Sequence, residues 1–221
     1  MKKLLAIIAL TGLALSGVHA SQLVYWDFGG SGKIAAPNYS YQVGYASHFQ
    51  VHDELFDSHD GFMLSRTDPS NPHSPVFTFS LTAAEDITLG RLDDYVIVGD
   101  HTASITLFWE YIIFDTNTLE FVTGLTQIGN PIEMQKDPNH ATRLMHDEAL
   151  YLGDISLAAG HSIQFRLSAK FGEMAAGYEN ITLGFVRDSG MSLYAIPEPS
   201  TWVLFGAGTA IVVIMRRRRK E

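Results

Sequence analysis

Cysteine is absent from the 221 residues, and cations are scarce through most of the chain. Without cysteine there is no disulfide framework, no thiolate metal site and no thiol nucleophile. Between residues 21 and 200, only eight Lys and Arg stand against 23 Asp and Glu. So acidic a body repels phosphate, which excludes nucleic acid as a partner. The aromatic share of 11% and the hydrophobic share of 46% exclude a wholly disordered chain.

The first twenty residues have the layout of a secretory signal peptide. Lys2 and Lys3 precede a short apolar run, and Val18-His19-Ala20 provides the small residues of a cleavage site between Ala20 and Ser21. The alternative is a first transmembrane helix, for which the apolar run is short. We therefore predict that residues 1–20 are removed and that the mature chain acts outside the cytoplasm.

The other end of the chain combines a proline motif, an apolar stretch and a cationic cluster. Pro197-Glu198-Pro199 is followed by the apolar residues 202–215 and then by Arg216, Arg217, Arg218, Arg219 and Lys220. As a helix, residues 202–215 would reach about 21 Å, against a bilayer core of about 30 Å, so the span is marginal. The cations belong on the cytoplasmic side, and the prolines favour an extended segment outside, which is the form that proteases cleave.

These features together resemble the PEP-CTERM sorting signal of Gram-negative bacteria, over residues 197–221. The resemblance implies recognition by an exosortase, which removes the tail near Pro197-Glu198-Pro199, and a producer that secretes exopolysaccharide. It also implies a transient tether in the inner membrane, followed by release to the cell surface or the extracellular space. The alternative is an ordinary single-span anchor.

The stretch between the two ends has the alternation of β-strands. Residues 76–81 and 162–169 alternate apolar with polar side chains, as half-buried strands do. Residues 104–114 are almost wholly apolar and suit a central strand, with a turn and a returning strand at 119–123. Residues 139–152 read either as a helix or as a loop that leads into a strand.

This pattern predicts an all-β fold for residues 21–196. Turn-forming residues separate roughly nine to twelve short strands, which favours an antiparallel β-sandwich, with a jelly roll as one arrangement of it. The predicted organisation is therefore a signal peptide over 1–20, a β-sandwich over 21–196 and a sorting signal over 197–221 with a transmembrane helix at 202–215.

Tyr39, Tyr41 and Tyr45 form the set of aromatic residues best suited to a sugar ligand. They occupy alternate positions, so a continuous strand would place them on one face together with Val43. If that face points outward, the rings form a strip for polysaccharide or for a partner protein, because flat rings stack on sugars. If it points inward, the tyrosines are part of the core.

The densest polar segment lies between His48 and Gly61, with three histidines and four carboxylates. Asp57, His59 and Asp60 could wrap a cation, with oxygen ligands favouring Ca²⁺ and imidazoles favouring a transition metal. The spacing matches neither an EF-hand loop nor a zinc helix, and the alternative is a solvated acidic loop. We expect no other cofactor.

Two functions from different classes fit these observations. The first is a non-enzymatic exported protein, whose β-sandwich serves the envelope or extracellular matrix by structure or adhesion. The second is a secreted carbohydrate-binding or carbohydrate-active protein, since the same fold carries either role. Acidic residues are plentiful, and no sequence pattern singles out a catalytic pair.

Overall fold

A computed structural model of the chain describes residues 20–29, 35–51, 61–66, 75–186 and 189–196. The predicted cation ligands Asp57, His59 and Asp60 lie outside these ranges, as do residues 1–19 and the sorting signal from Pro197 onward. Residues Gln22–Ala195 form one compact unit. Within the described ranges, no helix is long and apolar enough to cross a membrane.

The described residues form strands and no helix, and the strands pair in antiparallel fashion, which confirms the all-β prediction. The 17 strands in this part of the chain outnumber the nine to twelve expected, because several are only two or three residues long. The strands are β1 Ser21–Asp27, β2 Pro37–Tyr39, β3 Val43–Ala46, β4 Gln50–Val51, β5 Gly61–Arg66, β6 Pro75–Ala83, β7 Ile87–Asp93, β8 Ile97–Asp100, β9 Ile105–Asp115, β10 Thr126–Gln127, β11 Ile132–Glu133, β12 Gln135–Lys136, β13 Leu144–His146, β14 Leu150–Leu157, β15 His161–Phe171, β16 Ile181–Val186 and β17 Gly190–Ile196.

The strands assemble into three hydrogen-bonded sheets. The largest has seven strands, in the order β10-β9-β15-β6-β3, with β11 also paired to β9 and β4 to β6. The second has the order β14-β7-β17-β1-β2, and the third β12-β13-β8-β16-β5. Strand β9 lies inside its sheet, as its apolar sequence predicts.

The two five-stranded sheets share three chain segments that run from one sheet into the other. Strands β7 and β8 are separated only by residues 94–96, and β13 and β14 only by residues 147–149. Leu144 pairs with Gly99 and Leu150 pairs with Leu92. The segment β13–β14 therefore runs antiparallel to the segment β7–β8 through both sheets. The third segment is formed by β16 and β17, because β16 lies beside β8 in one sheet and β17 lies beside β7 in the other.

Aromatic side chains of both five-stranded sheets pack on the seven-stranded sheet, which makes the fold sandwich-like. The Trp26 ring on β1 lies 4.6 Å from that of Phe79 on β6, and the Phe185 ring on β16 lies 5.2 Å from that of Phe77. Phe79 also stacks on Phe49 at 4.6 Å and on Phe165 at 5.0 Å, between ring centroids. Phe79 is therefore a central contact of the core.

Alternation predicts the apolar face of β15, but Ser162 and Ser168 on its polar face are buried as well, and β6 departs from alternation in its first half. In β15 the side chains of Ile163, Phe165 and Leu167 are fully buried, while Gln164 between them is partly exposed. In β6, residues 76–79 are all buried, so the first half of this strand is covered on both faces, whereas Ser80 and Thr82 in the second half are partly exposed.

Two local expectations are decided by the pairing. Residues 139–152 contain β13 and the start of β14, so the loop-and-strand alternative is correct and the helix is not. After β9 the chain does turn back, with the Asp115 N–H donating to the Glu120 carbonyl at 3.0 Å. The expected returning strand at 119–123 is reduced to one isolated bridge between Phe114 and Phe121.

Candidate functional site

The three candidate tyrosines are exposed, but they do not lie on one strand. Tyr39 ends β2, Tyr41 lies in the turn that follows, and Tyr45 belongs to β3 in a different sheet. The exposed fractions are 43% for Tyr39, 85% for Tyr41 and 54% for Tyr45, whereas Val43 is 2% exposed. A register shift between Val43 and Tyr45 places Val43 in the core and Tyr45 outside. The single-strand prediction is therefore wrong, although the rings do face outward.

No group of three or more metal-ligating side chains occurs in the part of the chain that the structure describes. The predicted cation loop at Asp57, His59 and Asp60 lies outside that part, so it stays a prediction. A second group of polar residues, His140, His146, Asp147 and Glu148, does lie in the described part, and its two histidines take part in separate interactions rather than in one site.

The first of these interactions orders the loop after β12. The Asp137 carboxylate accepts the backbone N–H of Asn139 at 2.7 Å and lies 3.1 Å from Nδ1 of His140. The Asn139 N–H, followed by the His140 side chain, holds the pKa of Asp137 below its usual value. Because the partners of this carboxylate are local, the contact stabilises a turn and does not form a ligand site.

The second interaction lies at the edge of the core. His146 Nε2 is 3.5 Å from the hydroxyl of Tyr95, a residue that is only 2% exposed. Burial lowers the pKa of His146 and raises that of Tyr95, since both charged forms would lose solvation. The neutral imidazole is therefore the form that this environment favours.

An open groove lies between an edge of the seven-stranded sheet and an edge of the β14 sheet. Strands β9 and β10 and the turn after β10 form one wall, and β14 forms the other. The groove has a volume of about 490 Å³, within the usual range for small-ligand sites. Its floor is apolar, with Ile128 and Ile155 buried, and its walls carry the phenol rings of Tyr111 and Tyr151.

A bulge in β14 shapes one wall of this groove. The pairing of β14 with β7 shifts register between Tyr151 and Ile155. Three residues lie between these two, and the last two of them are left-handed, with φ of 68° at Gly153 and 60° at Asp154. As a result Leu152 and Ile155 both point into the core, while Gly153 and Asp154 both stay exposed. Such bulges redirect side chains and are common beside functional sites.

Sequence reasoning did not identify this groove. Its walls come from residues 111–129 and 151–156, and only the pairing of distant strands brings the two segments together. One local signal was present, because Gly153-Asp154 interrupts a strand pattern and a glycine in such a pattern indicates a bulge. Nothing in the sequence indicated that Tyr151 would be 72% exposed.

The last strand leads directly into the proline motif. Strand β17 ends at Ile196, and the next residue is Pro197 of Pro197-Glu198-Pro199. Residues 195–220 match the model of the family described as the PEP-CTERM protein-sorting motif. This chain carries a PEP-CTERM sorting signal. PEP-CTERM signals are processed by exosortase, and they direct export and sorting to the cell surface.

The body upstream of the PEP-CTERM signal is similar to several solved structures, all at low identity. A CocE/NonD family hydrolase from Staphylococcus aureus is 12% identical, with a TM-score of 0.38, and the match covers 80% of this chain and 37% of the hydrolase. An aminopeptidase from a Thaumarchaeota archaeon is 9% identical, with a TM-score of 0.39 and the same two coverages. The CBM22-1 xylan-binding domain of Paenibacillus barcinonensis Xyn10C is 5% identical, with a TM-score of 0.25, and the match covers 81% of this chain and 97% of that domain.

The chain thus spans little more than a third of the length of the hydrolase and of the aminopeptidase. Structural similarity at TM-scores of this size does not indicate a shared activity. Comparison with curated proteins gives no match.

Proposed function

We propose that this protein is exported and cut at its PEP-CTERM signal, and that its β-sandwich then serves the cell surface or extracellular matrix without catalysing a reaction. The observation that carries this proposal is the position of the signal relative to the fold. Strand β17 ends at Ile196, one residue before Pro197. Cleavage near the proline motif would therefore leave all the strands that the structure describes in the mature protein.

The chemistry of the described residues supports a structural or adhesive role over catalysis. Glycoside hydrolysis uses two carboxyl groups across a cleft, and its general acid needs a raised pKa. Among the described residues, the groove is lined by one carboxylate, that of Asp154. The pKa values of Asp115 and Asp137 are shifted downward, in each case mainly by a backbone N–H that stabilises the charged form.

The partners follow from the same proposal. Exosortase would act on Pro197-Glu198-Pro199 while residues 202–215 hold the chain in the inner membrane and Arg216–Arg219 stay on the cytoplasmic side. After cleavage, the acidic body would remain soluble among anionic exopolysaccharides, since like charges repel. The matrix is then the place where the protein acts.

The test uses a Gram-negative host that contains an exosortase. The full chain is compared with the double variant Pro197→Ala/Pro199→Ala and with the control Ser200→Ala, which lies next to the motif. Mass spectrometry of the C-terminus should find wild type and the control without Arg216–Arg219 and in the matrix fraction. The double variant should keep its tail and remain with the membrane. A double variant that is cut and released like wild type would overturn the proposal.

A further inference from the structure

We propose that the groove between β10 and β14 binds a neutral polysaccharide chain. This inference rests on the proposed adhesive function and names the site and the ligand class.

The two tyrosines of the groove suit the flat faces of sugar rings. Tyr111 packs partly against the hydrophobic core, so its ring is held in place on β9. Tyr151 on β14 is 72% exposed, although it lies between the buried residues Leu150 and Leu152. A large exposed ring beside an apolar floor leaves apolar surface in contact with water, and a ligand that covers this surface gains binding free energy. Sugar rings present apolar C–H faces that would cover it.

The polar groups of the walls suit the hydroxyls of a sugar. Nε2 of Gln127 donates to the Gly129 carbonyl at 2.9 Å, which fixes the amide and leaves its carbonyl oxygen as an acceptor. Among the described residues, no hydrogen bond is made by the side chains of Asp154 or Ser156. An amide, a carboxylate and a hydroxyl placed around an apolar floor are a usual arrangement for orienting a small polar ligand.

The charge of the groove selects a neutral chain over an anionic one. Among the described residues that line the groove, none is Lys or Arg, and Asp154 contributes a negative charge. The surrounding body is acidic as well, with eight cations against 23 anions between residues 21 and 200. A uronic-acid polymer would meet repulsion without a compensating cation.

The edges of the groove do not favour a peptide strand as the occupant. Strand addition needs a regular edge with evenly spaced backbone donors and acceptors. Strand β10 is only two residues long, and β14 is interrupted by the left-handed pair Gly153 and Asp154. Bulged and very short edges are devices that block such pairing.

The test is titration calorimetry with the full chain, purified in a detergent that lacks a sugar headgroup. The probes are linear neutral hexasaccharides of glucose, xylose, mannose and galactose, with oligogalacturonate as the anionic arm. We expect at least one neutral hexasaccharide to bind with a dissociation constant below about 1 mM, and Tyr151→Ala to weaken it at least about tenfold. Tyr151→Phe should bind within about threefold of wild type, because stacking needs the ring and not the hydroxyl.

Tyr41→Ala is the matched control, since Tyr41 is 85% exposed and lies outside the groove. It should bind like wild type, whereas loss of binding there, with Tyr151→Ala unaffected, would place the ligand at Tyr39, Tyr41 and Tyr45 and overturn the proposal. Absence of binding to all the neutral probes, or stronger binding of oligogalacturonate, would overturn it too. Neither result would affect tail processing, so the proposed export and cleavage are tested separately.

Discussion

The left-handed backbone at Gly153 can be tested by substitutions at two glycines. A Cβ added at Gly153 or at Gly124 would meet no heavy atom within 4 Å, so neither alanine variant creates a clash. The two positions differ in backbone conformation, because Gly153 has a φ of +68° whereas Gly124 is not in the left-handed region. Left-handed conformation costs an L-residue about 1–2 kcal/mol.

Alanine also restricts the unfolded chain, which by itself stabilises the folded state by about 0.4–1 kcal/mol at either position. Gly124→Ala should therefore raise the free energy of unfolding by about that amount. Gly153→Ala should lower it by about 1 kcal/mol, because the left-handed strain exceeds the gain. The difference between the two variants isolates the strain, at about 1–2 kcal/mol.

The assay is urea unfolding followed by tryptophan fluorescence, since Trp26 and Trp109 are both buried in the core. The slope of free energy against urea should be the same for wild type and both variants, so that the midpoints report stability alone. If Gly153→Ala is as stable as Gly124→Ala, residue 153 is not left-handed. The bulge described for β14, which shapes the groove, would then be contradicted.

Three further substitutions test the core and the titrating groups. Phe79→Ala should lower the free energy of unfolding by about 3–5 kcal/mol, because it empties a site in contact with Trp26; a loss below about 1 kcal/mol in the same urea assay would contradict this. Burial lowers the folded-state pKa of His146, so wild type should lose stability as the pH falls below about 6.5, and thermal melts should show a smaller loss in His146→Gln. The folded-state pKa of Asp137 is also lowered, so its contribution to stability is present above its ordinary pKa of 3.8 and is lost as the pH falls further. Acid unfolding of Asp137→Asn should lack this component, and an unchanged acid midpoint would argue against the contacts of this carboxylate with the Asn139 N–H and with His140.

Strands with a clear period of two could be predicted from the sequence. The apolar faces of β15 and the long apolar run of β9 both lie where the pattern placed them. Strands β7 and β17, which are neighbours inside one sheet, were not predicted. The alternation of β17 is obscured because this strand is buried on both faces, including Ser192, which accepts a hydrogen bond from Nε2 of Gln22 at 2.8 Å.

Burial of a polar residue such as Ser192 is decided by a partner 170 positions away. Local pattern cannot supply that information, and the same limit applies to the groove. For the exposed tyrosines the local pattern suggested a regular strand that does not form. A turn at Tyr41 and a bulge before Tyr45 interrupt an apparently continuous alternation. The sorting signal could be predicted because it is read from linear sequence, with its three parts in order.

The position of β17 sets the timing of folding. This final strand lies between β7 and β1, so the first strand of the body has no partner on one side until residues 190–196 arrive. An exported chain emerges from its N-terminus onward, and the sheet therefore stays incomplete until the C-terminal end has crossed. Assembly of the body then coincides with delivery of the proline motif to the same side of the membrane. A cut made before that moment would release an unfinished sheet, whereas a cut made after it releases a complete one.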